Sequence, residues 1–310
     1  MRTEEHIPVL LESVIRGLNI KSDGSYIDGT FGRGGHALRI LGELGPKGRL
    51  LGLDRDRQAL KNVNFKLKND KRLDLVHGNF SRIKSYAIER NLLGKVDGVL
   101  LDLGVSSPQL DQGERGFSFR FDGPLDMRMD AETGDTAAEW LMRVDEKKLK
   151  QVLKEFGEEK FASSIAREII SSRSLMPIKT TKDLVEIICR VKPKSKIKKH
   201  PATQSFQAIR IYINEELREL NDALEASLEV LAKNGRLCVI SFHSIEDRIV
   251  KRFMRNFSRE PEQYRGLPNI PKDMLPKLNI ISKSLVADKE EVELNPRSRS
   301  ARLRIAERLS

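Results

Sequence analysis

The feature that most constrains the fold is an alternation of strand-like apolar runs with helical patterns in the first third of the chain. Four strand-like runs close on polar or glycine-rich turns and cover residues 25–30, 49–54, 74–80 and 96–103. Helical spacing of apolar residues lies between them, over residues 37–44, 57–67 and 84–91. Strands that alternate with helices are typical of right-handed βαβ units. The sequence therefore predicts an α/β fold built on a parallel sheet.

The middle of the chain has a different pattern. After Leu103 a long stretch shows helical spacing and no convincing strand. One helix, predicted over residues 201–213, carries a polar stripe that is suited to face a substrate. The members of this stripe are Thr203, Gln207, Arg210 and Asn214.

Strand-like runs resume towards the carboxyl end of the sequence. A helix over residues 217–231 is predicted to stop at Asn234-Gly235, and a buried-looking strand follows over residues 236–242. Two further runs, residues 279–286 and 301–306, alternate in hydropathy and predict an antiparallel pair at the sheet edge.

These changes of pattern predict two domains, and a chain of 310 residues is long enough for both. The sheet domain is predicted to be discontinuous, comprising residues 1–110 and 215–310. An inserted all-helical domain, residues 111–214, interrupts it.

Composition excludes two classes of protein. Hydrophobic residues make up 39% of the chain and charged residues 33%, which fits neither a disordered chain nor a membrane protein. No apolar run approaches the roughly 18 to 20 residues that span a bilayer, and the first residues lack the apolar stretch of a signal peptide. We therefore expect a cytoplasmic protein without a membrane partner.

The charge balance indicates a polyanionic partner. The chain has 56 Lys and Arg against 45 Asp and Glu, a formal net charge of +11. Two runs, residues 190–199 and 248–259, hold clusters of cations and no acid. Phosphate neutralisation by such clusters drives nucleic-acid binding, whereas the simpler interpretation of residues 192–199 is a solvated surface.

The two cysteines give no sign of a metal or a disulfide. Cys189 and Cys238 are far apart and belong to no Cys/His cluster. We interpret both as reduced packing residues in apolar surroundings, and we expect no metal site.

The most informative local pattern is the glycine-rich loop of residues 26–36, where a strand turns into a helix. Glycines allow a ligand to approach the backbone, and the first N–H groups of a helix bind anionic groups. The relaxed dinucleotide fingerprint Gly32-x-Gly34-x-x-Ala37 fits a nicotinamide enzyme as well as other Rossmann-like proteins. A glycine-rich turn without a ligand is the third interpretation.

The next two strands add candidate contacts for a nucleotide-like cofactor. Asp54 ends the second strand about twenty residues after the glycines, at the position where a carboxylate bonds ribose hydroxyls. Phe80 follows the third strand, where its ring either stacks on adenine or belongs to the core.

Asp102, at the end of the fourth strand, is the best catalytic candidate. Open α/β sheets place their chemistry beside this strand end. Amino methyltransferases commonly carry Asp or Asn there, followed by Pro-Pro-aromatic, and this group accepts a hydrogen bond from the target amine. The present loop has Leu103-Gly104-Val105 in place of those three residues.

At this point the chain resembles, nearly end to end, the ribosomal small-subunit methyltransferase H family (RsmH, also called MraW). Seven strings in the family's order carry the resemblance: residues 28–36 (DGTFGRGGH), 102–109 (DLGVSSPQ), 115–119 (RGFSF), 123–130 (GPLDMRMD), 200–203 (HPAT), 241–244 (SFHS) and 295–297 (NPR).

The resemblance implies a Rossmann-like class I fold and a specific activity. Members of the family use S-adenosylmethionine to methylate the exocyclic N4 amine of a decoding-centre cytidine in 16S ribosomal RNA, on the small subunit. The helical insertion is implied to grip this RNA. The family's cofactor contacts fall on Gly34, Gly35, His36, Asp54, Phe80, Asp102 and Gln109.

Other features keep two interpretations. His243 either contacts the target nucleotide or is structural, and residues 126–130 form either a loop over the cofactor or core packing. Trp140 is predicted to belong to the core. The alternatives for the whole chain are a nicotinamide-dependent oxidoreductase and a non-catalytic ribosome-binding factor, and a homodimer is left open.

Overall fold

A computed structural model describes residues 8–192, 200–260, 262–264, 270–271 and 274–310. The chain divides into two compact units, a sheet unit of Met1–Gly104 with Arg218–Ser310 and a helical unit of Val105–Leu217. The sequence predicts the junctions at residues 110/111 and 214/215, whereas the structure has them at residues 104/105 and 217/218. Gln109, which was predicted to contact the cofactor from the sheet domain, therefore belongs to the helical unit.

The sheet unit contains one sheet with the order β3-β2-β1-β4-β5-β7-β6 among the described residues. The strands are β1 (Ser25–Asp28), β2 (Arg49–Asp54), β3 (Leu73–His77), β4 (Val96–Asp102), β5 (Leu231–Ser241), β6 (Leu278–Leu285) and β7 (Arg302–Arg308). The first five strands are parallel, and β7 runs antiparallel to both β5 and β6. This confirms the predicted α/β class, its Rossmann-like parallel sheet and the antiparallel pair.

The central strands are apolar throughout because helices cover both of their faces. On β4, Val99 and Leu101 face one core cluster, and Leu100 between them faces the other. Helices α5, α12 and α13 pack on the first face, and α1 and α2 pack on the second.

The helices of the sheet unit are α1 (Leu11–Leu18), α2 (Gly35–Glu43), α3 (Arg57–Lys61), α4 (Phe65–Lys68), α5 (Ile83–Glu89), α12 (Glu216–Val230, with its first two residues in the helical unit), α13 (Ser244–Phe257) and α14 (Lys289–Leu294). The single helix predicted over residues 57–67 was wrong. Asn64 has extended backbone angles and accepts a hydrogen bond from Lys66 N, so it begins a second helix. A helix-capping side chain thus interrupts an otherwise continuous apolar pattern.

The stop signal predicted at Asn234-Gly235 was also misplaced. The helix ends earlier, at Val230, and the Asn-Gly pair lies inside β5. Asn234 has a positive φ of 63°, and the pairing with β4 shifts its register there. A left-handed residue is used here for a strand irregularity rather than for a helix end.

The helical unit contains α6 (Ser107–Asp111), α7 (Ala137–Arg143), α8 (Glu146–Gly157), α9 (Ala162–Leu175), α10 (Thr181–Val191) and α11 (Thr203–Ile213). The side chains of Thr136, Asp145 and Thr180 cap three of them. Trp140 is 9% exposed, and its ring centroid lies 4.6 Å from that of Tyr212. This confirms the prediction that Trp140 belongs to the core. In the described part of the chain, no helix is both long and apolar enough to cross a membrane.

The polar stripe predicted on α11 is engaged inside the helical unit. Asn214 is buried and bonds the backbone of Met127 and Met129 at 2.7 Å each. Arg210 makes a bidentate ion pair with Glu216, and Gln207 donates to the Phe156 carbonyl. Three of the four side chains thus hold the fold together, which contradicts the expected substrate face.

Met127 and Met129 themselves are buried, at 0% and 8% exposure. The segment of residues 126–130 is therefore core packing of the helical unit. Of the two cysteines, Cys238 is buried as predicted, whereas Cys189 is exposed, so its interpretation as a packing residue was wrong.

Lys192, the first lysine of the predicted phosphate-binding run, is also internal. It is 8% exposed, and its Nζ lies 2.7 Å from Oε2 of Glu159, which is fully buried. It also donates to the Pro201 carbonyl at 2.8 Å. Lys192 therefore belongs to a buried structural ion pair with Glu159. The other lysines of the run lie outside the described residues; they are Lys194, Lys196, Lys198 and Lys199.

We predict that Glu159→Ala destabilises the protein by about 3 to 5 kcal/mol, because Lys192 remains buried without its counter-ion. The double variant Glu159→Met/Lys192→Met should recover much of this loss, since neither charge is then buried. Urea unfolding of the full chain measures both effects. The exposed pair Arg143–Asp135 is the control, and Asp135→Ala should cost no more than about 1 kcal/mol. Equal losses for Glu159→Ala and Asp135→Ala would contradict the prediction.

Candidate functional site

Three aspartates meet at one edge of the sheet, where parallel strands end. Asp28, Asp54 and Asp102 are the last residues of β1, β2 and β4, which are neighbours in the sheet. Asp54 and Asp102 were predicted from the sequence, and Asp28 was not. The fold thus concentrates negative charge at the edge where Rossmann-like proteins bind their ligands.

The glycine loop between β1 and α2 is fixed by backbone hydrogen bonds to both neighbouring strands. Gly29 N donates to Leu100 O on β4, and Phe31 N donates to Leu53 O on β2, each at 2.9 Å. Gly34 has a φ of 80°, and a Cβ there would lie 2.4 Å from Leu67 Cδ1. Glycine is therefore required at this position by the local backbone and packing.

Gly34 precedes α2 without offering a side-chain cap, and α2 starts with Gly35 and His36. The first N–H groups of a helix have no partner within that helix. The predicted contacts Gly34, Gly35 and His36 therefore form the amino end of α2 next to the aspartates.

Asp54 organises the loop from the side of β2. Its Oδ2 accepts from Gly32 N and its Oδ1 accepts from Asp56 N, each at 2.7 Å. Burial raises the pKa of Asp54 to about 6, and the two backbone N–H groups oppose this shift. Each carboxylate oxygen has a second lone pair, so these bonds leave room for a ligand hydroxyl.

Asp28 and Asp102 are linked through Thr30. Thr30 N donates to Asp28 Oδ1 at 3.1 Å, and Thr30 Oγ1 accepts from Asp102 N at 2.6 Å. Asp28 is 1% exposed, and burial raises its pKa to about 7; the charge of Asp54 adds to this shift.

Asp102 has an incomplete set of contacts. Its Oδ1 is buried and has no hydrogen-bond partner. Its Oδ2 lies 3.7 Å from His36 Nδ1. Burial, and then the charges of Asp28 and Glu246, raise the pKa of Asp102 well above its usual range. The Asp102 carboxyl group therefore has a high proton affinity, and its Oδ1 atom lacks a hydrogen-bond partner.

His36 is buried and faces Asp102 with a defined ring nitrogen. Its Nε2 lies 3.0 Å from the Val9 carbonyl, which can only accept, so Nε2 carries a hydrogen. In the neutral ring Nδ1 then bears a lone pair, and it lies 3.7 Å from Asp102 Oδ2. The raised pKa of Asp102 favours a protonated carboxyl group opposite this lone pair.

A second network lies where β2 and β3 end. Glu219 on α12 is 5% exposed and accepts hydrogen bonds from Arg55 Nη1 at 2.8 Å and from Asn79 Nδ2. Asn79 in turn accepts from Ser81 N and begins the 3₁₀ turn that contains Phe80. Phe80 is partly buried against the core. Glu219 thus fixes the residues beside both predicted cofactor contacts, Asp54 and Phe80.

His243 has a structural role at the start of α13. Its backbone N and that of Phe242 approach Glu246 Oε2 at 3.3 and 2.9 Å, and its ring accepts from Glu246 N at 3.4 Å. This reciprocal arrangement is a capping box. Glu246 is 2% exposed and contributes to the raised pKa of Asp102.

In the helical unit, Gln109 is 5% exposed and accepts a hydrogen bond from Ser106 N at 2.9 Å. It forms the capping box of α6 together with Ser106. Its predicted contact with the cofactor stays a prediction.

Asp28, Glu219 and Glu246 were missed as site residues in the sequence. Asp28 had a signal, because it ends a strand just as Asp54 and Asp102 do. Glu219 and Glu246 lie within amphipathic helices and look like ordinary surface acids. Among the described residues, no group of three or more His, Cys, Asp or Glu is arranged to hold a metal ion.

Comparison with known proteins gives a family match over almost the whole chain. A sequence profile described as the MraW methylase family matches residues 3–309. Among solved structures, a putative rRNA methylase from Clostridium thermocellum is 13% identical, with 98% of this chain and 100% of that chain covered and a TM-score of 0.46. A putative methyltransferase from Streptococcus mutans, in complex with SAH, is 13% identical with the same coverage and a TM-score of 0.42.

We predict that Asp28→Asn reduces the loss of stability at rising pH. The native pKa of Asp28 is about 7, above the unfolded value of about 3.9, so the native state holds the extra proton between these values. Its stabilising effect is therefore complete below about pH 4 and disappears as pH rises through 7, by about 4 kcal/mol in total. Asparagine keeps the acceptor for Thr30 N and does not titrate.

Urea unfolding between pH 5 and 8 measures this difference, and the exposed Asp23, changed to asparagine, is the control. Asp23→Asn should keep the wild-type slope of stability against pH. A wild-type slope in Asp28→Asn would show that the carboxyl group does not titrate as its burial requires.

Proposed function

The chain belongs to the MraW methylase family, and on this premise we propose that it methylates the exocyclic N4 amine of a decoding-centre cytidine in 16S ribosomal RNA. Family membership makes the protein a methyltransferase that uses S-adenosylmethionine. It thereby favours methyl transfer over the nicotinamide-dependent alternative. The cytidine, its N4 atom and the small subunit as substrate are the specific content of the proposal.

The observation that supports the proposal best is the unsatisfied carboxylate of Asp102. A buried carboxylate oxygen without a donor is costly, and the nearby charges of Asp28 and Glu246 increase that cost. S-adenosylmethionine carries a sulfonium cation and the target carries an amine donor. The acidic edge of the sheet therefore fits both the cofactor's charge and the substrate's hydrogen.

The other predicted contact residues are proposed to bind different parts of the cofactor. Asp54 is proposed to bond the ribose hydroxyls and Phe80 to stack on adenine, with Arg55 and Asn79 held beside them by Glu219. The amino end of α2, with Gly34, Gly35 and His36, is proposed to receive polar atoms of the cofactor. Gln109 is proposed as a further cofactor contact on the strength of the family resemblance alone.

When bound, S-adenosylmethionine supplies an electrophilic methyl group. Asp102 is proposed to accept a hydrogen bond from the cytosine amine, whose lone pair is otherwise delocalised into the ring, and to orient this lone pair. The amine loses a proton as the new N–C bond forms, and an ordinary carboxylate is a weak acceptor for it. Burial and the charges of Asp28 and Glu246 raise the proton affinity of Asp102, so the free protein carries a proton there. The sulfonium charge of the bound cofactor would displace that proton, and the resulting carboxylate can then accept the amine proton. His36, 3.7 Å away, limits the positions of the carboxyl group.

The proposed substrate also accounts for the net charge of +11. The helical unit is proposed to contribute to RNA recognition, and the cytoplasm, where ribosomal RNA is found, is the proposed location. A direct methyl transfer requires no metal ion.

Mass mapping of 16S ribosomal RNA from cells with and without the protein tests the proposed function. We expect one cytidine to lose a methyl group on N4 in the deletion strain and to regain it with the wild-type gene. Full restoration by the Asp102→Ala gene would support a non-catalytic ribosome-binding factor instead. Methylation at another atom or another RNA would overturn the proposal.

We predict that Asp102→Ala lowers kcat by about 100-fold or more at saturating cofactor, because alanine can neither accept a hydrogen bond from the amine nor orient its lone pair. The Kd for S-adenosylmethionine should change much less. Single-turnover methylation of small subunits and calorimetry measure the two quantities, with Asp23→Ala as the control. Recovery of the rate at higher cofactor concentration would assign Asp102 to cofactor binding alone.

We also predict that S-adenosylmethionine displaces protons when it binds at pH 7, and that S-adenosylhomocysteine displaces fewer. The raised pKa values of Asp28 and Asp102 mean that these groups carry protons, and a nearby cation lowers both values. S-adenosylhomocysteine, the demethylated product, lacks the sulfonium charge and should therefore displace fewer protons. Calorimetry in buffers of different ionisation enthalpy counts the protons, and Asp28→Asn should reduce the count. Equal proton release by the two ligands would contradict this electrostatic account.

A further inference from the structure

Helix α13 presents a row of cations along one side. Arg248, Lys251, Arg252 and Arg255 are related by separations of three and four residues, which place them on one helical face, and Arg259 continues the row just beyond the helix. All five side chains are exposed. We call these five residues the α13 stripe.

Four of the five cations of the stripe are not neutralised by neighbouring acids. Lys251, Arg252, Arg255 and Arg259 make no ion pair with any described residue. The two acids of the first turn are engaged elsewhere, because Glu246 caps the helix and Asp247 pairs with Arg304 at 2.7 Å. The next acid in the sequence, Glu260, follows the last cation. The stripe thus offers a concentrated positive surface to solvent.

The opposite side of α13 is fully used by the core of the sheet unit. Ile245, Val250 and Met254 are 7%, 1% and 2% exposed. Ile249, Phe253 and Phe257 pack against the same core. No apolar face of the helix is left to enter a lipid bilayer, whereas interfacial membrane helices need one. The chemistry of the stripe therefore fits a hydrophilic polyanion.

The stripe starts close to the candidate site within the sheet unit. Helix α13 follows β5, whose residue Ile240 pairs with Asp102 of β4. Glu246, in the first turn of α13, lies near enough to raise the pKa of Asp102. Arg248 is half a turn further along. From there the stripe extends for about 16 Å, at 1.5 Å per residue.

We propose that the α13 stripe is an RNA-binding surface of the sheet unit, which holds backbone phosphates of the strand that carries the target base. This inference rests on the proposed ribosomal RNA substrate. It extends that proposal to the sheet unit, whereas the family resemblance implies RNA binding by the helical insertion. Cations on the sheet unit next to Asp102 hold the strand close to the reacting base.

The test compares two triple variants of the full chain. Lys251→Gln/Arg252→Gln/Arg255→Gln removes three charges from the stripe and spares Arg248. Lys61→Gln/Lys66→Gln/Lys71→Gln removes three exposed charges from the other side of the same unit and is the matched control. Neither set belongs to the proposed cofactor contacts, so both proteins should bind S-adenosylmethionine as the wild type does.

Binding to purified small subunits is then measured at several salt concentrations. For the stripe variant, the slope of log affinity against log salt should become shallower by about 2 to 3, at roughly 0.7 to 0.9 per phosphate contact. The control should keep the wild-type slope. The methylation assay should show a raised KM for RNA with kcat preserved at saturating RNA. Replacing Arg252 and Arg255 by lysine, which keeps the charge, should preserve the slope.

Four outcomes overturn the proposal. An unchanged slope in the stripe variant, with normal 16S methylation by the wild type, refutes the stripe and leaves the proposed function standing. Equal slope changes in both variants would show a general charge effect. Wild-type protein that neither binds nor methylates 16S RNA overturns both proposals. Charge-dependent binding to phosphatidylserine vesicles, without an RNA effect, would identify a membrane surface instead.

Discussion

The site depends on the way a parallel sheet brings carboxylates together at one edge. Because β1, β2 and β4 are neighbours that run in the same direction, Asp28, Asp54 and Asp102 end at the same edge. Burial of the carboxyl groups among the elements packed at this edge raises the pKa of all three acids. The clustered carboxyl groups disfavour one another's negative charge. A bound cation and a hydrogen-bond donor would stabilise that charge. S-adenosylmethionine and an amine supply these two.

The backbone keeps this edge in place before any ligand binds. Thr30 connects Asp28 with the backbone of Asp102, and Asp54 holds Gly32 of the glycine loop. A second buried acid, Glu219, fixes the turns after β2 and β3. Donors and acceptors held in this way need little reorganisation during the reaction, which is the main source of electrostatic catalysis.

The positive charges of the chain have different uses that their spacing in the sequence does not reveal. Lys192 opens an acid-free basic run, yet it is buried in an ion pair with Glu159. The cations of α13 form a similar run, and they remain exposed on one face of a helix whose other face is in the core. The difference lies in what packs against each residue, and it separates a structural charge from a candidate RNA contact.

Local signals of period, turn or position were enough to predict the α/β class, the antiparallel strand pair, the glycine loop and the strand-end acids Asp54 and Asp102. The partners of the polar side chains depend on long-range packing and became visible in the structure. Glu219 and Glu246 join the site from distant helices, Asn214 serves the fold rather than a substrate, and Asn234-Gly235 interrupts a strand instead of ending a helix. Periodicity shows which face of an element is apolar, whereas the neighbour of a polar side chain depends on long-range packing. That packing also sets burial, and burial gives Asp102 the proton affinity on which the proposed chemistry depends.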